Sequence, residues 1–152
     1  MNSQKTDLVG LKKNEISNLI NPICGNNSSV NMRVSQLWDW IYTKGETDFT
    51  KMTNMSKEFR DTLHEKFYIG RPEIQTKLIS QDGTRKYLLK LRDNNLVETV
   101  FIPDKERGTL CISSQVGCTL NCSFCFTGTQ GLVRNLSASE IVQQLMIARD
   151  DL

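Results

Sequence analysis

The sequence predicts an α+β chain in two domains. Residues 1–70 form a small N-terminal helical accessory domain, and residues 71–152 form a β-meander followed by the first strand, loop and helix of a partial (β/α) barrel. Three observations carry this. Apolar residues recur at helical spacing as far as Phe67 and at alternating spacing beyond Gly70-Arg71-Pro72. Four alternating segments then follow one another with short turns between them, the pattern of a meander. After the fourth, a cysteine-bearing loop leads to a capping box, so strand, long loop and helix come in the order of a barrel unit.

Taken in order, residues 7–20 put Leu8, Leu11, Ile16, Leu19 and Ile20 near one face of one or two short helices, and Gly25-Asn26-Asn27-Ser28-Ser29 reads as a loop. From Met32 to Tyr42, the residues Val34, Leu37, Trp38, Ile41 and Tyr42 fall at helical spacing, with Lys44-Gly45 as the stop. Trp38 and Trp40 sit two apart, so only one of them can point straight into a core. Asn54 or Ser56 can cap a third helix through about Phe67, with Phe59, Leu63 and Phe67 on one stripe. These aromatic residues read as core packing.

Strands are expected over 74–80, 85–91, 96–103 and 109–115, separated by turns at 81–83, 92–95 and 104–108. In the third strand Leu96, Glu98, Val100 and Ile102 share one face and Val97, Thr99 and Phe101 the other. Glu98 is thus a carboxylate on an otherwise aliphatic stripe. It is either a strand glutamate reaching solvent or, if buried beside a cavity, a carboxyl with a raised pKa suited to general-base work. Cys111, flanked by Leu110 and Ile112, reads as a buried strand residue. Past the loop, Ser137-Ala138-Ser139-Glu140 opens a helix with Ile141, Leu145 and Ala148 on one face.

With 38% hydrophobic and 24% charged residues and no long apolar run, the composition is that of a soluble globular chain without a membrane span. The polar start, Met1-Asn2-Ser3-Gln4-Lys5-Thr6-Asp7, lacks the apolar core of a signal peptide, and the expected location is cytoplasmic. Residues 1–90 carry 14 Lys/Arg against 10 Asp/Glu, and residues 91–152 carry 5 against 7. A weakly basic front half is compatible with RNA contact and equally with ordinary solvated surface charge.

Five cysteines, three of them at 118, 122 and 125, suit metal binding in a reducing compartment better than a disulfide framework. A structural zinc site would need four ligands, usually in two separated pairs, and the single histidine, His64, is far off on a predicted helix. A zinc deaminase needs a His-x-Glu element and a Pro-Cys-x-x-Cys, and neither is present. A bacterial ferredoxin uses two-residue gaps and a Cys-Pro ending, also absent. What remains is a [4Fe-4S] cluster held by Cys118, Cys122 and Cys125, with one iron left open for a ligand that is not protein.

Cys-x3-Cys-x2-Cys with Phe124 before the last cysteine resembles the radical S-adenosylmethionine superfamily. The segments Val97-Glu98-Thr99-Val100-Phe101-Ile102-Pro103, Thr109 to Cys118 and Phe126 to Leu136 look like the RNA adenine C2-methyltransferase family known as RlmN. Gln36 to Gly45 and Met52 to Ser56 are similar to that family's N-terminal helical domain. The resemblance runs over roughly residues 30–150.

That resemblance implies a [4Fe-4S] cluster on Cys118, Cys122 and Cys125, with S-adenosyl-L-methionine chelating the open iron and an electron donor reducing the cluster. It implies Glu98 as proton acceptor, and Cys111 as the thiol that pairs transiently with a second, methyl-carrying cysteine to release the product. The substrate it implies is carbon 2 of an adenine in 23S rRNA or in certain tRNAs. No protein partner is inferable. The methyl-carrying cysteine lies near the far end of family members, and Cys24, the only cysteine left, matches no motif. The expectation is therefore an N-terminal fragment without turnover by itself. A chain acting only as an RNA-binding or iron-sulfur-holding module is the alternative.

Overall fold

The computed structural model describes residues 5–24, 27–120, 123 and 129–152. Cys122, Phe124 and Cys125 therefore lie outside the described residues, as do Gly25 and Asn26 of the expected first loop. The chain divides into two compact units, Met1–Gly70 and Arg71–Leu152. Among the described residues, no helix is long and apolar enough to cross a membrane.

The first unit is helical with its ends tied together. A short strand β1, Thr6–Asp7, precedes α1, Lys13–Cys24, and α2, Asn27–Trp38. A five-residue π-helical stretch, Asp39–Thr43, extends α2, and Lys44 and the left-handed Gly45 (φ 75°) end it. A 3-10 turn, Phe49–Lys51, leads to α3, Lys57–Lys66, and the closing strand β2, Phe67–Tyr68, pairs in parallel with β1. Asp7 fastens both ends of the unit, because its carboxylate accepts the N–H groups of Val9 and Gly70 at 3.0 Å each.

Several expectations for this unit need correction. Helix α1 runs four residues past Ile20 and carries Pro22 in its last turn, where a missing N–H removes a single late hydrogen bond. Asn27 to Ser29 are helical, and are not part of a loop. Ser56 caps α3, accepting the Phe59 N–H, whereas Asn54 takes the Trp40 indole N–H at 2.6 Å. Neither tryptophan enters the core. Leu37 and Ile41 fill it, while half-buried Trp38 leans on Tyr42 with centroids 4.4 Å apart and Trp40 carries the Lys44 ammonium at 3.7 Å.

The second unit is a four-stranded antiparallel meander with one helix against it. Strands β3, Glu73–Ile79, β4, Arg85–Lys90, β5, Leu96–Pro103, and β6, Gly108–Cys111, pair in that order. Two-residue strands β7, Gln115–Val116, and β8, Arg134–Asn135, pair with each other, and α4 spans Ala138–Asp151. The expected fourth strand over 109–115 is thus broken. Its ladder with β5 stops at Cys111, and Gln115 resumes as a strand only to meet Asn135.

Alternation along β4 and β5 sends Tyr87, Leu89, Val97 and Thr99 inward, and these pack with Val116, Leu136 and Ala148. The capping box forms as expected, with the Ser137 hydroxyl and Glu140 carboxylate each bonding the other's backbone N–H. The buried stripe of α4 is not the expected one, however. Leu145 is 55% exposed, and Gln144 occupies the inward position between Ile141 and Ala148.

At its far end α4 is anchored through Asp151. That carboxylate meets Lys77 Nζ at 2.7 Å, Arg85 Nη1 at 3.0 Å and the Tyr87 hydroxyl at 3.0 Å. The Lys77 hydrogen bond, with those from Tyr87 and Arg85, holds its carboxyl below the usual carboxylate range. A carboxyl depressed in the folded state adds stability above its unfolded pKa, near 4, and loses it as pH falls through the folded value. Asp151→Asn should therefore remove part of the acid-side fall in urea stability below about pH 4 while flattening little above pH 6. A variant whose acid limb superimposes on that of the parent chain would contradict this.

Candidate functional site

Cross-strand register decides what the candidate residues can do together. Lys86 pairs with Val100 and Val100 with Cys111, so these three form one row across β4, β5 and β6. Cross-strand partners share a face, and residues two apart on a strand share it as well. Glu98, two residues before Val100, therefore stands on the same face as Cys111, one row away and about 7 Å along the strand. This is the face turned away from α4. Both residues are exposed, so the Glu98 carboxylate reaches solvent in this chain, and the expectation that Cys111 is buried is corrected. The physical reason is parity: Leu110 opposite Phe101 takes the inward position, and its neighbour Cys111 must take the outward one.

The surroundings of Glu98 are polar at its head and aliphatic along its stem. Its carboxylate meets Lys86 Nζ at 2.7 Å, with both side chains 46% exposed, and Leu96 and Val100 are its neighbours along β5 on the same face. An ion pair this open is worth roughly 0.2–1 kcal/mol, so the carboxylate is oriented by Lys86 without being locked to it.

From Cys111 the chain passes through Ser113 into the cysteine loop. The Ser113 hydroxyl donates to the Glu98 carbonyl at 2.7 Å, tying the start of the loop to the strand that carries Glu98. The loop's base is closed by backbone hydrogen bonds from Leu136 N–H to Ser114 O (2.9 Å), Val133 N–H to Val116 O (2.9 Å) and Cys118 N–H to Gln130 O (3.1 Å). Gly117 makes this closure possible. It is left-handed (φ 75°), and a Cβ there would lie 2.1 Å from the Gly131 carbonyl oxygen.

Arg134 braces the far side of the loop. Its guanidinium grips both Glu140 oxygens, at 2.9 and 2.7 Å, and Asp93 of the β4–β5 turn at 2.7 Å. These bonds raise the proton affinity of Arg134 and hold the Glu140 carboxyl below its ordinary range, the Arg134 contact being the largest cause.

Of the three expected cluster ligands, Cys118 is the one described. It is a half-buried free thiol, and its Sγ accepts the Leu120 N–H at 3.4 Å. Cys122 and Cys125 lie outside the described residues. An amide N–H aimed at a cysteine sulfur is the kind of contact that supports a cluster-bound thiolate, so this contact fits Cys118 as a ligand of an iron-sulfur centre. Cys24 and Cys111 are free thiols as well, and Cys24 belongs to the helical unit, where burial pushes its thiol up. Gln144, Gly117 and Arg134 are positioning features that residue-type reasoning passed over. The signal for Gln144 was its register, three after Ile141 and four before Ala148.

Comparison with known proteins identifies the family that the chain resembles. Residues 6–69 match the family described as "Ribosomal RNA large subunit methyltransferase N-terminal domain". A relative from Chelativorans sp. (strain BNC1), "Dual-specificity RNA methyltransferase RlmN", is 55% identical over 98% of this chain and 38% of its own length. Its namesake from Paracoccus denitrificans (strain Pd 1222) is 56% identical over 96% of this chain and 37% of its own length. Among solved structures, a radical SAM methyltransferase from Sphaerobacter thermophilus superposes with a TM-score of 0.81 at 32% identity, over 96% of this chain and 43% of that one. The chain spans about 38% of the length of the curated relatives it matches. It belongs to the RlmN family of radical SAM methyltransferases and corresponds to the N-terminal part of its members.

Proposed function

We propose that this chain carries the cluster-binding loop, the proton acceptor and the product-releasing thiol of a radical SAM RNA methyltransferase acting on carbon 2 of adenine in 23S rRNA and in certain tRNAs. The observation that carries the reading is the common face of β5 and β6. Glu98 and Cys111 stand one row apart on it, and the chain runs from Cys111 through Ser113 directly into the loop of Cys118. In this reading Cys118, Cys122 and Cys125 hold a [4Fe-4S] cluster, and β7, the cysteine loop and α4 are the opening unit of a barrel. When bound, the cluster and S-adenosyl-L-methionine supply the methyl group and the one-electron chemistry that activates it.

The roles of the chain's own residues follow from their chemistry. Glu98, paired with Lys86 and open to solvent on one side, takes a proton from the substrate carbon onto a carboxylate oxygen. Cys111, as thiolate, attacks the sulfur through which the substrate is tethered. A disulfide forms, the carbon–sulfur bond breaks, and the electron pair leaves on the carbon of the product, which takes up a proton from solvent to become a methyl group. The partner cysteine of that disulfide has no counterpart among these 152 residues. The helical unit, Met1–Gly70, serves as an accessory RNA-contacting domain, an electron donor reduces the cluster, and the reducing cytoplasm keeps the thiols free.

Anaerobic reconstitution with iron and sulfide, followed by a methylation assay on 23S rRNA, tests this directly. The expected result is a cluster on the 152-residue chain, binding of RNA, and no methyl transfer. Turnover by the chain alone would refute the need for a second cysteine. RNA binding by a chain that takes up no iron would leave only the alternative, a non-catalytic RNA-binding module.

A further inference from the structure

Gln144 and Thr99 are polar side chains with no exposed surface, lodged between α4 and the sheet. A carboxamide offers two donors and one oxygen acceptor, and all of Gln144's capacity is engaged. Its Oε1 accepts the Thr99 hydroxyl at 2.9 Å and the Ser113 N–H at 2.8 Å, and its Nε2 donates to Ser113 O at 2.9 Å and to Glu140 O at 3.2 Å. Ser113 comes just after Cys111, where the ladder with β5 has ended, so its backbone N–H and C=O have no strand beside them. Gln144 accepts from that N–H and donates to that C=O, which is what a neighbouring strand would do. On its other side Ser113 is bonded through its hydroxyl to the Glu98 carbonyl, and Thr99, the residue after Glu98, completes the ring.

The geometry points to Gln144 as a positioning residue that replaces a missing strand at Ser113, and so holds Cys111 and the root of the cysteine loop in register with Glu98. Packing alone would not require this side chain, since an apolar residue of similar volume fills the same space without burying polar atoms. What only the carboxamide provides is two-point attachment of Ser113. The inference rests on the proposed function for its purpose: proton acceptor, releasing thiol and cluster have to act on one adduct, and Ser113, which is bonded to the Glu98 strand and leads from Cys111 into the loop, is the residue Gln144 grips.

The test is amide hydrogen exchange on the 152-residue chain with Gln144→Met. The expected result is exchange at Ser113 on the order of tenfold faster or more, with Tyr87 and Leu89 amides unchanged. In the reconstituted chain, the reduced cluster's EPR signal should broaden or split while iron content is retained, a change that loss of general stability does not produce. Equal acceleration at Ser113 and Tyr87, or none at Ser113, would overturn the inference. Should Gln144→Met not fold, Thr99→Val removes one of the two bonds to Oε1 and should give a smaller acceleration at the same residue. Absence of any local effect there overturns it too. Iron uptake by the unsubstituted chain reports on the cluster reading and Ser113 exchange on this one, so the two fail separately.

Discussion

Gly117→Ala should destabilise the second unit by about 3 kcal/mol, while Gly131→Ala across the same loop neck should change stability by no more than about 0.5 kcal/mol. Gly117 is held at φ 75°, where an L side chain costs about 1–2 kcal/mol, and its added Cβ would be driven to 2.1 Å from the Gly131 carbonyl oxygen. That atom is backbone, pinned by its neighbours' hydrogen bonds: the Gln130 carbonyl accepts the Cys118 N–H and the Val133 N–H reaches Val116. Relief of the clash must therefore open the neck or move β7 away from β8. A Cβ on Gly131 meets nothing within 4 Å. Urea unfolding of the two variants reads the contrast, and equal midpoints would show that the neck is not closed in this way.

Cys118→Ala should abolish iron binding, taking the reconstituted chain from about four irons to none, while Cys111→Ser should leave the iron content unchanged. A cluster that already has only three protein thiolates has no spare ligand to lose, and Cys122→Ala should behave as Cys118→Ala does. Cys111 is also a free thiol and not far along the chain, so cysteine chemistry alone does not separate the two. Structure does. Cys118 is half-buried with an amide N–H on its sulfur, and Cys111 faces outward on the end of β6 opposite Val100. Iron retained in Cys118→Ala would mean the ligand set is wrong. Iron lost in Cys111→Ser would make Cys111 a ligand and remove it from product release.

What could be read from the residues themselves was whatever depends on short-range spacing. The Cys118, Cys122, Cys125 pattern, the Ser137–Glu140 capping box, the meander and the parity of β5 each involve residues within one element or one turn. Periodicity alone put Glu98 on a face opposite Val97 and Thr99, as found. Several other features were illegible because they depend on partners far away in the chain. Cys111 looks buried between Leu110 and Ile112, and only its pairing with Val100 turns it outward.

The inward position of α4 likewise goes to Gln144 and not Leu145. An apolar count favours the leucine, but Thr99 and Ser113, more than thirty positions back, supply the hydrogen bonds that make a buried carboxamide stable. The break of the fourth strand at Cys111 and the closure of the loop by Gly117 against Gly131 are of the same kind. By itself the sequence determined the chemistry available to this protein: three clustered thiols, a further thiol and a carboxylate. Tertiary structure decided which of these groups meet, because register between strands and satisfaction of buried polar groups arise only where distant segments come into contact.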